Sequence, residues 1–210
     1  MSHHEVIILG AGPAGLGVAA SLEGWHPYDN HGKNLITMDT KSLLGSGIRP
    51  IVHFRDLHHP EDNTLYGSNR FNFRKNNRVD WIILSDDAAG GLWNNVPSNQ
   101  LTLGPANWME LSHYPMKQFN YDNHTNINLR EIINKNNLLS YYKKFSKKLN
   151  LDHHIYNEHK IISIEKKQNS NFIICSKYKD IKKEYSCKYL VFALGPKSIK
   201  RKLGVPGENF

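Results

Sequence analysis

The chain has 210 residues, 39% of them hydrophobic and 22% charged, with a formal net charge of +8. That length predicts one domain, or one domain with part of a second, and leaves room for a sizeable core. No apolar run approaches the roughly 18 residues of a membrane-spanning helix, no basic leader precedes the first apolar run, and two cysteines cannot make a disulfide scaffold, so a reducing, cytoplasmic setting is expected.

The charge is uneven. Residues 130–202 hold 18 Lys+Arg against 6 Asp+Glu, whereas the remainder holds 9 against 13. The lysine pairs Lys143-Lys144, Lys147-Lys148 and Lys182-Lys183 read as solvated helix and hairpin faces. Aromatic residues do not interleave with them as they do on a single-strand platform, so no specific nucleic-acid partner is expected.

In chain order, residues 5–9, with the continuous apolar run Val6–Leu9 ended by glycine, read as a buried parallel strand. Pro13–Glu23, rich in alanine and glycine, predicts a helix that can approach a sheet closely. Between them lies Gly10-Ala11-Gly12-Pro13-Ala14-Gly15. In a strand–turn–helix, Gly10 permits the tight turn, Gly12 lets a pyrophosphate reach the backbone, and Gly15 lets the helix pack on the strand. The phosphates then lie at the positive helix N-terminus. With strand and helix both in place, this is a dinucleotide-binding fingerprint.

Residues 24–78 read as a long irregular insert. Such a fold also wants an acid for the ribose hydroxyls at the end of its second strand. Two placements compete. Leu35–Met38 followed by Asp39 has the more usual spacing from the glycines; Asp80–Leu84 followed by Asp86 or Asp87 is the other. Beyond a glycine turn at residues 90–93, Pro97–Pro105 continues as loop. Residues 129–149 predict a helix, interrupted near Lys135-Asn136-Asn137, whose second part lines up Leu138, Tyr142, Phe145 and Leu149. Lys160–Glu165, Phe172–Tyr178 and Glu184–Ala193 predict an antiparallel meander packed on a parallel sheet.

Gly90-Gly91-Leu92-Trp93 resembles the GGxW turn of flavin-containing monooxygenases and Baeyer–Villiger enzymes, which follows the second strand and borders the flavin. Leu57-His58-His59-Pro60, Leu101-Thr102-Leu103, Trp108-Met109-Glu110-Leu111 and Tyr141-Tyr142-Lys143 resemble a narrower group, the oxidative stress-induced growth inhibitors, over nearly the whole chain. The resemblance favours Asp80–Leu84 as the second strand. It implies an α/β, Rossmann-like, three-layer FAD/NAD(P)-binding domain over 1–195. Gly204–Glu208 resembles the crossover into a nicotinamide domain, so 196–210 reads as the start of that crossover and the chain as truncated at its C-terminal side.

The cofactor implied is FAD, with NADPH only in a full-length form. Its contacts would be Gly10, Gly12, Pro13, Ala14, Gly15, Gly91, Leu92, Trp93, Thr102, Ile161 (a backbone contact to adenine), Ala193 and Gly195. Two positions depart from the monooxygenase pattern: Leu84 stands where a glutamate is usual, and Leu194 where Ala-Thr-Gly has threonine. The resemblance implies either an NADPH-dependent monooxygenase acting on a small molecule or a non-enzymatic stress and growth regulator.

No CxxC pair supports disulfide chemistry, and no second glycine fingerprint is present for a nicotinamide. The 12 histidines lack metal-ligand spacing and read as surface or loop residues, although the loop of His58 and His59 would return toward a flavin. Cys175 and Cys187 read as buried thiols. Trp93, Trp108 and Tyr114 are candidates either for a flavin pocket or for core packing. No residue is named as a catalytic acid or base.

Overall fold

A computed structural model describes residues 1–29, 32, 34, 71–168 and 171–195. Its centre is a six-stranded sheet. β1 (Ser2–Leu9) runs parallel to β4 (Trp81–Leu84) on one side and to β10 (Ile181–Phe192) on the other. β4 in turn pairs in parallel with the short β7 (Ile155–Tyr156). On the far side β10 turns antiparallel against β9 (Phe172–Tyr178), and β9 against β8 (His159–Lys166).

The apolar runs of β1 and β4 are continuous because both their faces are covered. Val6, Ile8, Trp81 and Ile83 face a core shared with the helices α1 (Pro13–Leu22), α2 (Met116–Asn123) and α3 (Lys135–Lys148). Ile7, Leu9, Ile82 and Leu84 face a second core with Ile174, Tyr185, Cys187 and the partly buried Ile161 and Ile164. The long strand β10 belongs to both layers. Its residues 181–187 pair with β9, and Tyr185–Phe192 pair with β1. The result is helices, parallel sheet and meander in three layers, as the sequence predicts.

Residues 24–78 are not wholly irregular. β2 (Trp25–Asp29) and β3 (Phe71–Lys75) pair as an antiparallel ribbon beside α1. The strands are some forty residues apart in sequence, so no local hairpin signal joins them. The ribbon is tied down at Glu23, a carboxylate only 3% exposed. Lys75 Nζ lies 2.8 Å from one of its oxygens, and the Trp81 indole donates to the other at 3.2 Å. Leu35–Met38, Asp39, His58, His59 and residues 196–210 lie outside the described residues.

Two further expectations are corrected. Residues 101–105 form β5, which pairs with β6 (Ile132–Asn134). The helix expected from 129 begins only at Lys135, because 132–134 are strand and the Asn134 side chain accepts from Asn137 N–H at 2.9 Å as an N-cap. The predicted interruption is thus the true start. Leu138, Tyr142, Phe145 and Leu149 are buried as expected, with Leu139 and Tyr141 widening the face. α2, without an apolar run in the sequence, starts where Glu110 Oε2 accepts the Met116 N–H at 2.7 Å.

The helical layer carries a buried phenol network. Tyr141 donates to Tyr114 O and accepts from Leu111 N–H, both at 2.7 Å. Tyr114 donates to Asp122 Oδ2 at 3.0 Å, and Lys148 Nζ sits 2.9 Å from the same oxygen. Burial first, then the hydrogen bond to the Asp122 carboxylate, pushes the Tyr114 phenol from 10.0 up to about 12.

Two predictions follow from these contacts. Asn134→Ala costs about 1 kcal/mol, measured by urea denaturation. The Tyr114 contribution is fully present below pH 10.0 and is lost as pH rises through about 12, because the folded value lies above the ordinary one. Denaturation midpoints should therefore fall more steeply over that window for wild type than for Tyr114→Phe.

Candidate functional site

The glycine turn follows β1 at the carboxyl ends of the parallel strands, where open α/β sheets bind ligands. Gly10 has φ +105°, and a Cβ there would lie 2.5 Å from the Ala193 carbonyl oxygen. At Gly15 a Cβ would lie 2.0 Å from the Gly10 carbonyl oxygen, so the helix rests directly on the turn. A Cβ at Gly12 would meet nothing within 4 Å. Gly12 faces open space, whereas the other two positions are closed by the fold itself.

Backbone bonds hold the turn rigidly. Gly10 N–H donates to Leu84 O and Gly90 N–H to Ala11 O, each at 2.9 Å. Ala193 N–H donates to Leu9 O at 2.9 Å. The sequence reading passed over Ser85, whose hydroxyl accepts from Ala11 N–H and Asp87 N–H, both at 3.2 Å. A small polar residue directly after a buried strand is its only signal.

No side chain caps the first turn of α1, whose N-cap is Gly12. By helix geometry the early N–H groups lack intrahelical partners, and the dipole is positive there. The turn borders a cavity of about 600 Å³, within the range of small-molecule sites. Gly10, Gly12, Pro13 and Ala14 form one wall, and Gly91, Leu92 and Trp93 another. Ile161, Ala193 and Gly195 close it from the meander side. Ten of the twelve expected contact residues therefore converge on one cavity.

The other two stand elsewhere. Gly15 packs behind the turn. Thr102 is buried away from the cavity, where its hydroxyl donates to Gly104 O at 2.7 Å and accepts from Ile133 N–H at 3.0 Å, joining β5 to β6. Of the aromatic candidates, Trp93 lines the cavity, Tyr114 is core, and Trp108 is 62% exposed. The structure adds Asp86, Asp87, His159, Lys160, Phe192 and Leu194 to the lining. His159 is held in place, with Nδ1 2.8 Å from Asn157 O and Nε2 2.8 Å from the Tyr185 hydroxyl. Cys175 and Cys187 are buried, and burial raises the Cys187 thiol. A second cavity of about 560 Å³, beside Ser2 and Lys182–Tyr185, has neither glycine turn nor helix N-terminus.

Among the described residues, no group of three or more His, Cys, Asp or Glu is placed to hold a metal. No helix among them is long and apolar enough to cross a membrane.

No family model matches the chain. The sequence is similar to oxidative stress-induced growth inhibitors. It is 26% identical to the homologue osgn-1 of Caenorhabditis elegans, over 55% of this chain and 31% of that protein. It is 24% identical to the human oxidative stress-induced growth inhibitor 2, over 54% and 28%. The aligned part thus spans about a third of the length of these curated relatives.

In solved structures the fold recurs in the bacillithiol disulfide reductase Bdr of Staphylococcus aureus, with TM-score 0.57, 18% identity, and 100% of this chain on 43% of that one. A flavin-containing monooxygenase from Stenotrophomonas maltophilia matches with TM-score 0.53 and 14% identity, over 92% of this chain and 39% of the other. These likenesses show the fold, the three-layer α/β one expected from the glycine turn and the meander.

The glycines are separable by experiment. Gly15→Ala should lower stability by about 1–3 kcal/mol through overpacking, whereas Gly12→Ala should leave the melting temperature of the ligand-free protein unchanged. Differential scanning calorimetry of both variants checks this.

Proposed function

We propose that this chain is the FAD-binding part of an oxidoreductase related to NADPH-dependent flavin monooxygenases, acting in oxidative stress response and growth control. One observation carries the reading: the glycine turn, the Gly91–Trp93 turn and the start of the meander at Ile161 meet around a single cavity at an uncapped helix N-terminus.

The residues fit such a cofactor. Gly12 leaves room for a pyrophosphate against the backbone, and the α1 N-terminus favours its charge. The Ile161 strand start would meet the adenine, and the Gly91–Trp93 turn would border the flavin ring. Gly195 would continue that wall on the opposite side. When bound, FAD would supply hydride acceptance and oxygen activation. The chain's own part is to orient the cofactor and to keep water from one side of it. NADPH and a small-molecule substrate belong to the reading only for a full-length form, and the setting proposed is the cytoplasm.

A second reading, a regulator that keeps the fold without turnover, is favoured by Leu84, which is buried where a ribose-binding glutamate is usual. NADPH oxidation by a full-length form in the presence of FAD separates the two.

FAD should raise the melting temperature of the purified chain, by about 2.7 kcal/mol of added stability at a hundredfold excess over Kd. FMN, which lacks the adenosine monophosphate half and so has no pyrophosphate, should not. Gly12→Ala should abolish the FAD effect. No response to millimolar FAD would overturn the reading.

A further inference from the structure

Gly91–Asn94 is a single 3₁₀ turn, whose few internal bonds need support from outside. Its two ends are secured by different means. At the start, Gly90 N–H donates to Ala11 O at 2.9 Å, and a Cβ on Gly91 would lie 2.8 Å from Gly12 Cα. This end is therefore pressed onto the glycine turn. Asn94 braces the turn from within, its Nδ2 donating to Ala88 O and Gly91 O, each at 3.0 Å.

At the far end the support comes from a residue remote in sequence. Lys135 is the first residue of α3, and its half-buried side chain reaches the chain just beyond Trp93. Its Nζ donates to Asn94 O at 3.1 Å and to Val96 O at 2.5 Å. Its backbone N–H donates to Gln100 O at 3.0 Å, so Lys135 closes the loop between the turn and β5. Four residues further along α3, Leu139 lies against the start of the turn, where a Cβ on Gly90 would come 2.8 Å from Leu139 Cδ2. Residues four apart share a helix face, so one face of α3 holds both ends of the turn. Trp93, between them, packs against the first core and lines the cavity.

We infer that Lys135 is the positioning residue for the flavin end of the cavity: by holding the Asn94 and Val96 carbonyls it keeps Trp93 where the flavin ring would lie. This rests on the FAD reading of the cavity and names a residue outside the lining.

The two ends of the turn then respond differently to its loss. The glycine turn, which would take the pyrophosphate, is held by bonds from Leu84, Gly90 and Ser85, none of which involves Lys135. The 94–96 segment depends on the ammonium. Carbonyls deprived of a charged donor seek water instead, and the segment shifts with them, carrying Trp93 away from the ring. The adenosine and pyrophosphate end keeps its shape.

The test is calorimetric titration of the purified chain with FAD and with ADP, which carries adenosine and pyrophosphate but no flavin. Wild type should bind FAD more tightly than ADP. Lys135→Met should weaken FAD roughly tenfold to a hundredfold and leave ADP within about twofold of wild type. The unchanged ADP affinity also reports that the variant is folded. The visible absorption band of FAD bound to Lys135→Met should lose the shoulders of a fixed, dry flavin and approach that of free FAD. Lys135→Arg, which keeps a charged donor at similar reach, should restore affinity and spectrum. Lys135→Gln, neutral and shorter, should behave as Lys135→Met does.

Wild-type FAD affinity and spectrum in Lys135→Met overturn the inference. Equal losses for FAD and ADP overturn it too, since Lys135 would then serve the fold alone, and failure of both Lys135→Met and Lys135→Gln to fold counts in the same way. A wild-type chain that binds FAD no more tightly than ADP overturns it while leaving the dinucleotide site intact. A wild-type chain that binds neither overturns the FAD reading, and this one with it.

Discussion

Much of the molecule depends on how closely α1 approaches the turn after β1. The helix sits so near that a side chain at residue 15 would begin 2.0 Å from the Gly10 carbonyl oxygen. That approach brings the helix N-terminus to the carboxyl end of the central strand. It also fixes Gly10 in a positive-φ turn tucked under Ala193, the first residue after β10. The turn is therefore built from three segments remote in sequence: the fingerprint itself, the end of β4 through Leu84 and Ser85, and the end of β10. Its shape is held by the fold's own backbone hydrogen bonds and the Ser85 hydroxyl.

The second constraint is that the strands carrying this turn are covered on both faces. Helices cover one face, and the meander covers the other by sharing β10 with the parallel sheet. The two cores meet across β1 and β4, whose alternate residues point into each. Sharing β10 also delivers part of the cavity's lining. The strand that seals the meander core ends at Phe192, and Ala193, Leu194 and Gly195 then line the cavity, with Ala193 directly against the glycine turn. The core and the site are thus products of one strand's path.

Polar groups inside this framework are matched locally. Glu23 is held by Lys75 and the Trp81 indole at the end of the parallel strands away from the cavity, so a buried carboxylate ties the β2–β3 ribbon to the sheet. Tyr114, Tyr141, Asp122 and Lys148 do the same for the loop and helices over the first core. A buried polar group left unpaired costs more than a paired one contributes. These contacts therefore fix the register of neighbouring segments more than they add to stability.

By itself the sequence determined the elements whose signals are local. The apolar run of β1, the glycine turn, the start of α1, the β9 segment and the apolar face of α3 each follow from spacing over a few residues. Ten of the residues expected to contact a cofactor line one cavity, and they could be singled out because the fingerprint and the GGxW turn are short local patterns. What depended on distant partners was not legible. β2 and β3, the start of α2 under Glu110, the pairing that displaced the start of α3, and the removal of Thr102 from the cavity all rest on contacts between segments far apart in the chain. The acid at the end of the second strand is of the same kind. Sequence spacing favoured Asp39 and the family resemblance favoured the strand before Asp86 and Asp87; the tertiary structure put β4 beside β1, buried Leu84, engaged Asp87 with Asn95 and placed Asp86 in the cavity lining. Local rules specify which backbone shapes a segment can take; which side chain reaches a given space is decided by what packs against it.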